Sequence, residues 1–209
     1  MKLFETHCHL DHPDFDSDRE SLINKCFSSG IEYIINVAFN KETAFSSLGL
    51  AKKHLHIFST VGYHPHDAID FDAEIVKKMA REKKVVAIGE IGLDFFRNLS
   101  PFTVQREVFA NQAHLAVEYD LPVIVHDRDA HQECYNILKN ENVKEAVFHC
   151  FSGDIIFAQQ VLDAGWMISF TGNITYANIH LDDVIRLVPL DRFMVETDCP
   201  YLPPHPHRG

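Results

Sequence analysis

Eight short runs of β-branched and other apolar residues recur along the chain, and the stretches between them carry helix punctuation. No other feature narrows the fold as much. The runs are Leu3–His9, Tyr33–Phe39, Ile57–His64, Val85–Leu93, Pro122–His126, Ala146–Phe151, Trp166–Gly172 and Phe193–Asp198, each of strand-like length. Between them, Ser17 with Glu20 reads as a capping box ahead of Leu22, Ile23, Cys26 and Phe27, with Gly30 as the stop. Asp72 likewise precedes Ile75, Val76, Met79 and Ala80, and Asp154 precedes Ile155, Ile156, Ala158, Val161 and Leu162, ending at Gly165. Strands that alternate with helices pair in parallel through right-handed crossovers, and eight of them favour closure over an open doubly wound sheet. The expected fold is α/β, a parallel (β/α)8 TIM barrel. "PYLPPHPHRG" follows the eighth run directly, so the final helix is expected to be missing from this chain. Apolar surface on strands one and eight should then be exposed.

A chain of 209 residues with 46% hydrophobic and 23% charged residues is expected to form one globular domain, 1–209. "MKLFETHCHL" lacks the apolar run of a signal peptide, and no segment approaches the roughly 18 apolar residues needed to cross a bilayer. No membrane association is expected, and the cytoplasm is the expected compartment. The five cysteines, Cys8, Cys26, Cys134, Cys150 and Cys199, form no CxxC pair and are odd in number, which argues for reduced thiols. A net charge of -11 excludes a broad basic surface for duplex DNA. It leaves room for one pocket made positive by bound cations.

Side chains at the carboxyl ends of barrel strands converge on one mouth, whatever their separation in sequence. His7 and His9 in "ETHCHLD", one residue apart, project from the same side of the first strand. His64 ends the third run, Glu90 lies late in the fourth, His126 ends the fifth, His149 falls late in the sixth, and Asp198 ends the eighth. Each alone has a structural explanation, but a buried carboxylate ringed by imidazoles calls for a shared reason, and a metal centre supplies it. His7, His9, His126, His149, Glu90 and Asp198 are enough for two divalent ions, with Glu90 as the bridge if its two oxygens bind different ions. Such a donor set suits Zn or Mn, and its carboxylates also suit Mg, so the metal stays open. The chemistry is hydrolysis by a metal-activated water, with Asp198 the candidate for both ligand and proton acceptor. No serine or cysteine nucleophile with its own base is apparent.

The ordered segments "ETHCHLD", "GYHPH", "GEIGLDF", "VIVHDRDA", "FHCFSG" and "ETDCPYL" resemble the TatD family of metal-dependent deoxyribonucleases, an amidohydrolase-like TIM-barrel family, over essentially the whole chain. The resemblance implies that His7, His9, Glu90 and Asp198 hold one metal, and that Glu90, His126 and His149 hold the other. It also implies that His64 contacts substrate phosphate. Glu196 is expected behind the ligands rather than among them. Asp127, Arg128, Asp94 and Arg97 are candidates for phosphate contacts or for loop ion pairs. Tyr63, Phe95 and Phe96 are candidates to stack a base or to pack under loops. Position 5 departs from the family, with Glu where Asp is usual.

The implied function is phosphodiester hydrolysis on DNA, as a 3′-5′ exonuclease on single-stranded or frayed ends. The alternative is a metal-dependent hydrolase of a non-phosphate ester, lactone or amide, including aminoacyl-tRNA deacylation, because fold does not fix substrate. Glu90, standing where amidohydrolase relatives often carry a carboxylated lysine, favours the first. A noncatalytic binding module is disfavoured because all the ligand positions are filled. The polymerase and histidinol phosphatase group, which also opens on His-x-His, fits the later segments poorly.

Overall fold

Each of the eight expected runs forms a strand, and all neighbours pair in parallel in chain order, β1 to β8. The computed structural model describes residues 2–208. The strands are β1 Leu3–Cys8, β2 Ile31–Asn36, β3 Ile57–Val61, β4 Val85–Asp94, β5 Val123–Arg128, β6 Ala146–Phe148, β7 Met167–Phe170 and β8 Phe193–Val195. Between them run α1 Arg19–Ser28, α2 Lys41–Lys53, α3 Ala73–Met79, α4 Phe102–Glu118, α5 His131–Asn140, α6 Ile155–Asp163 and α7 Asp182–Leu187. None is long and apolar enough to cross a membrane.

The seam between β8 and β1 is closed by individual bonds rather than a regular ladder. Asp198 N–H donates to His7 O at 2.9 Å, and His9 N–H donates to Cys199 O at 2.9 Å. The Thr6 hydroxyl donates to Val195 O at 3.1 Å. The Glu5 carboxylate accepts from the N–H of His7 at 3.2 Å and of Thr197 at 3.0 Å, tying both edges together. The result is a nearly closed barrel.

Inside it, Val37, Ala87 and Ile124 pack with Ile35 and Val147. Ile124 shares a strand face with His126, and Val147 lies in line with His149, so this apolar plug forms the floor beneath the mouth. Outside it, a larger layer joins Ile88, Phe109, Leu138, Phe148, Trp166 and Ile168 across the strands and helices. A second layer seats α1 and α2 through Cys8, Ile23, Ile34 and Leu50.

Two helix starts follow the expectation. Asp72 accepts from Glu74 N–H at 3.0 Å, and Asp154 accepts from Phe157 N–H at 2.8 Å. The box at Ser17 and Glu20 does not form: Asp18 is the first cap of α1 and makes no side-chain cap bond. Arg19 instead ties the helix to the preceding loop, its guanidinium donating to the carbonyls of Leu10, Asp11 and His12. A capping box stands instead at α2, between Asn40 and Thr43.

Six strands, β1, β2, β3, β6, β7 and β8, end sooner than the sequence suggests, and at four of them a residue of the mouth is left outside the strand. His9, His64, His149 and Asp198 lie beyond the last paired residues of β1, β3, β6 and β8. Each still donates a backbone bond to a neighbouring segment: His64 N–H reaches Phe39 O at 2.8 Å and His149 N–H reaches Val125 O at 3.2 Å. The chain leaves the ladder there because it turns into the mouth.

No helix follows β8 among the described residues, and Leu3, Phe4 and Val195 are 38%, 42% and 50% exposed. That apolar strip on strands one and eight is the one expected. No disulfide joins the described cysteines.

Burial pushes the Glu5 carboxyl up to about 7, against the pull of its two backbone donors. A group raised on folding stabilises the fold below its unfolded value and loses that contribution as pH rises through the folded one. Glu5→Gln, neutral throughout, should therefore gain on the parent between pH 4.5 and 8, by on the order of 1–3 kcal/mol. Thermal melts at both pH values check it, and a constant difference would count against a charged, buried Glu5.

Candidate metal centre

Two glycines make room for the acid at the centre of the mouth. The register of β4 with β5 shifts between Ile88 and Ile91. A Cβ on Gly89 would lie 2.6 Å from Ile124 Cβ, and one on Gly92 only 1.9 Å from the His126 carbonyl oxygen. Gly92 also holds φ at +149°, a conformation L side chains rarely adopt. Within this irregular stretch Glu90 is 5% exposed, and its N–H donates to Ala38 O at 2.7 Å.

Four imidazoles surround its carboxylate. Oε1 faces His126 Nδ1 at 2.8 Å, His149 Nε2 at 2.9 Å and His64 Nε2 at 3.5 Å. Oε2 faces His7 Nε2 at 3.5 Å. Asp198 Oδ1 lies 3.3 Å from His9 Nε2 and 3.7 Å from His7 Nε2. One carboxylate thus addresses two sets of donors. His7, His9 and Asp198 gather on one side, and His64, Glu90 and His126 on the other, each set with donor atoms within 4.8 Å of one another.

These residues fit a cation. Both ring nitrogens of buried His7 lack a hydrogen-bond partner, a costly state that an ion beside Asp198 would relieve. His9 has its outer nitrogen committed, Nδ1–H donating to Val37 O at 2.8 Å, which leaves the Nε2 lone pair facing the site. Glu196 stands behind His149, with Oε1 3.5 Å from Nδ1 and accepting Cys150 N–H at 2.8 Å. Cys150 and Asp198 hold φ at +46° and +57°, left-handed values that cost an L residue about 1–2 kcal/mol. The backbone bears that cost where it aims side chains into the mouth.

Charge is organised around the same acid. Burial alone would raise Glu90, but the neighbouring imidazoles, His149 foremost, and the hydrogen bonds of His126 and His149 hold it well below the usual carboxylate range. Burial would lower His149, yet Glu90 and Glu196 hold it well above the usual imidazole value. His64 is driven the other way, well below, by burial and the nearby His126. Without a cation the centre is an ion-paired network that several residues share.

The remaining candidates divide. Asp94 is buried and accepts from His66 Nε2 at 2.7 Å and from Arg97 N–H at 2.7 Å, and it lies 3.3 Å from His126 Nε2. Asp127 pairs with His131 at 2.7 Å, so it is a loop ion pair. Tyr63 is 2% exposed and packs edge-on against Phe71, which removes it from any stacking role. Phe95 packs on Phe102 and under Arg106. Phe96 alone of the three aromatics lines the open cavity of about 900 Å3 above the centre, together with Arg97 and Arg128. His66 joins the site through Asp94, and the signal for it in the sequence is "GYHPH", which repeats the His-x-His spacing of "ETHCHL".

A donor-lined mouth on a parallel (β/α)8 barrel defines a metal-dependent hydrolase of the TIM-barrel class. Residues 4–209 match the family described as TatD related DNase, and the chain belongs to that family. It is 38% identical over 213 residues to the uncharacterized metal-dependent hydrolase YabD of Bacillus subtilis, covering 99% of this chain and 84% of that one. It is 35% identical to the 3′-5′ ssDNA/RNA exonuclease TatD of Enterobacter lignolyticus, covering 97% of this chain and 80% of that one. The solved structure of the TatD homologue YJJV from Escherichia coli superimposes with a TM-score of 0.92 at 33% identity, covering 99% of this chain and 83% of that one.

Removing the central carboxylate should leave buried imidazoles uncompensated, a loss of about 3–5 kcal/mol when one partner of a buried pair is deleted. Urea unfolding of Glu90→Gln in EDTA measures it. A change below about 1 kcal/mol would mean that the network does not depend on Glu90.

Proposed function

We propose that the chain is a two-metal phosphodiesterase that trims single-stranded or frayed DNA from the 3′ end. The observation that carries this reading is the division of Glu90 between two donor sets, Oε1 toward His64, His126 and His149 and Oε2 toward His7. His7, His9, Glu90 and Asp198 would hold one divalent ion, and Glu90, His126 and His149 the other, with Mg, Mn or Zn as occupants. Bound there, the ions supply Lewis acidity and a water acidic enough to attack at neutral pH.

The chain's own residues do the rest. Asp198, beside His7 and His9 and reachable from the cavity, takes the proton of the attacking water. His64 is neutral and lines the cavity, so its imidazole serves as a hydrogen-bond partner of a substrate phosphate rather than as a fixed cation. Its place 3.5 Å from Glu90 Oε1 sets that phosphate next to the second ion's ligands. The name of the Enterobacter lignolyticus relative supports nucleic acid as the substrate.

Protein stripped with EDTA and refilled with Mg, Mn or Zn should regain cleavage of 3′-accessible single strands before duplex or 5′-accessible ones. Refilling should also raise stability, by about 2.7 kcal/mol at a metal concentration 100-fold above Kd. Glu90→Ala and Asp198→Asn should each lose turnover by about a hundredfold or more. Hydrolysis confined to carboxylic esters or aminoacyl-tRNA would replace the nuclease reading with the second one. Full activity in the stripped protein would end both.

A further inference from the structure

We infer that Phe96, Arg97 and Arg128 form a seat for the part of a single-stranded polynucleotide that stays attached after the terminal nucleotide is cut. The inference rests on the phosphodiesterase reading and adds where the polymer lies. Among the described residues lining the cavity, Arg97 and Arg128 are the only lysines or arginines. Both stand on one side of it, just past β4 and at the end of β5.

Their charges have no internal use. The arginine ion pairs lie elsewhere, Arg19 with Asp16, Arg106 with Glu133 and Arg186 with Asp183. The acids at the ends of the same two strands are occupied: Asp127 by His131, and Asp94 by His66, His126 and the Arg97 backbone. In a chain of net charge -11, two guanidiniums left without a carboxylate beside a phosphodiesterase centre suit an external anion. A row of phosphates is that anion.

Beside Arg128 stands an aromatic ring that is not buried in the core. Phe95 turns into the fold, whereas its neighbour Phe96 is 63% exposed. The Arg128 guanidinium lies 4.9 Å from the Phe96 ring centroid, within cation–π distance. The guanidinium over one face braces the ring, and the rest of this exposed ring is a surface that any base can stack on, independent of sequence. Arg128 also lies two residues beyond His126 on β5, one strand repeat of roughly 6.6–6.8 Å. The seat is therefore about one nucleotide from the centre. Across the mouth, after β7 and β8, Asn173, Asn178, His180 and Tyr201 line the cavity and no lysine or arginine does, so the phosphates of the retained strand are assigned to the arginine side.

The test uses the metal-loaded protein and a fluorescent (dT)12 whose phosphorothioate linkages resist cleavage, with (rU)12 of the same kind as a second arm. Phe96→Ala and Arg128→Gln should each weaken binding of whichever strand the parent binds by about tenfold, the scale of one lost stack. Arg128→Gln should also flatten the slope of log K against log salt by about 0.7. Phe96→Trp should restore affinity, and Phe45→Ala, an equally bare aromatic elsewhere, should leave it unchanged. On cleavable substrates the penalty should fall more heavily on (dT)12 than on bis(p-nitrophenyl) phosphate. Unaltered affinity in both variants, or equal losses on long and small diesters, overturns the seat. A parent that hydrolyses the small diester but binds neither strand also overturns it, with the reaction intact. A parent that binds (dT)12 through Phe96 yet cuts no phosphodiester overturns the reaction and keeps the seat.

Discussion

A single carboxylate sits where the barrel's strands converge. Glu90 is buried, and four imidazoles from the ends of β1, β3, β5 and β6 close around its two oxygens. A buried carboxylate is tolerated only with its charge matched and its lone pairs filled. That requirement reaches outward. It calls for Gly89 and Gly92 beside it, for left-handed backbone at Cys150 and Asp198, and for outer partners such as Val37 O and Glu196 that fix how the rings point. The apolar floor of Val37, Ala87 and Ile124 lies beneath it.

The barrel suits this task because it separates holding the fold from holding the site. The buried layers between strands and helices, with Trp166, Phe109 and Leu138 among their largest side chains, carry the packing. The strand ends are then free to leave the ladder, and at His9, His64, His149 and Asp198 they do. A backbone N–H bond from each to a neighbouring segment keeps these residues in place while their side chains turn inward. The cost falls on the seam, where β8 and β1 meet through scattered bonds and where Glu5 spans both edges with a carboxyl that burial has raised.

An acidic chain can still present a locally positive mouth. Around the mouth, positive charge comes from the imidazoles of the centre, from the cations they suit and from two arginines on one rim, in a chain whose acids outnumber its lysines and arginines by 30 to 19. An acidic protein of this kind has little hold on duplex at large, since nonspecific affinity grows with the number of phosphates neutralised. The proposed substrate, one strand end held in one cavity, needs no such basic surface.

Much of this was legible along the chain. Alternating apolar runs and helix stops dictate a parallel barrel because hydrophobic period and crossover handedness are local rules, and the seven residues placed at its mouth all lie there. The sequence by itself also marked the bare strip on strands one and eight. What it could not settle depends on neighbours distant in sequence. The start of α1 falls at Asp18 rather than Ser17, where Arg19 anchors the helix to three carbonyls of the preceding loop. Tyr63, Phe95 and Phe96 read alike in sequence, and only packing buried the first, covered the second and left the third bare. His66 joined the site through Asp94, 28 positions away. Composition and periodicity determine which elements form and roughly where chemistry-bearing residues fall. Which oxygen faces which imidazole, and which charge is left without a partner, the tertiary structure alone decides, because those relations are distances between segments that share no local rule.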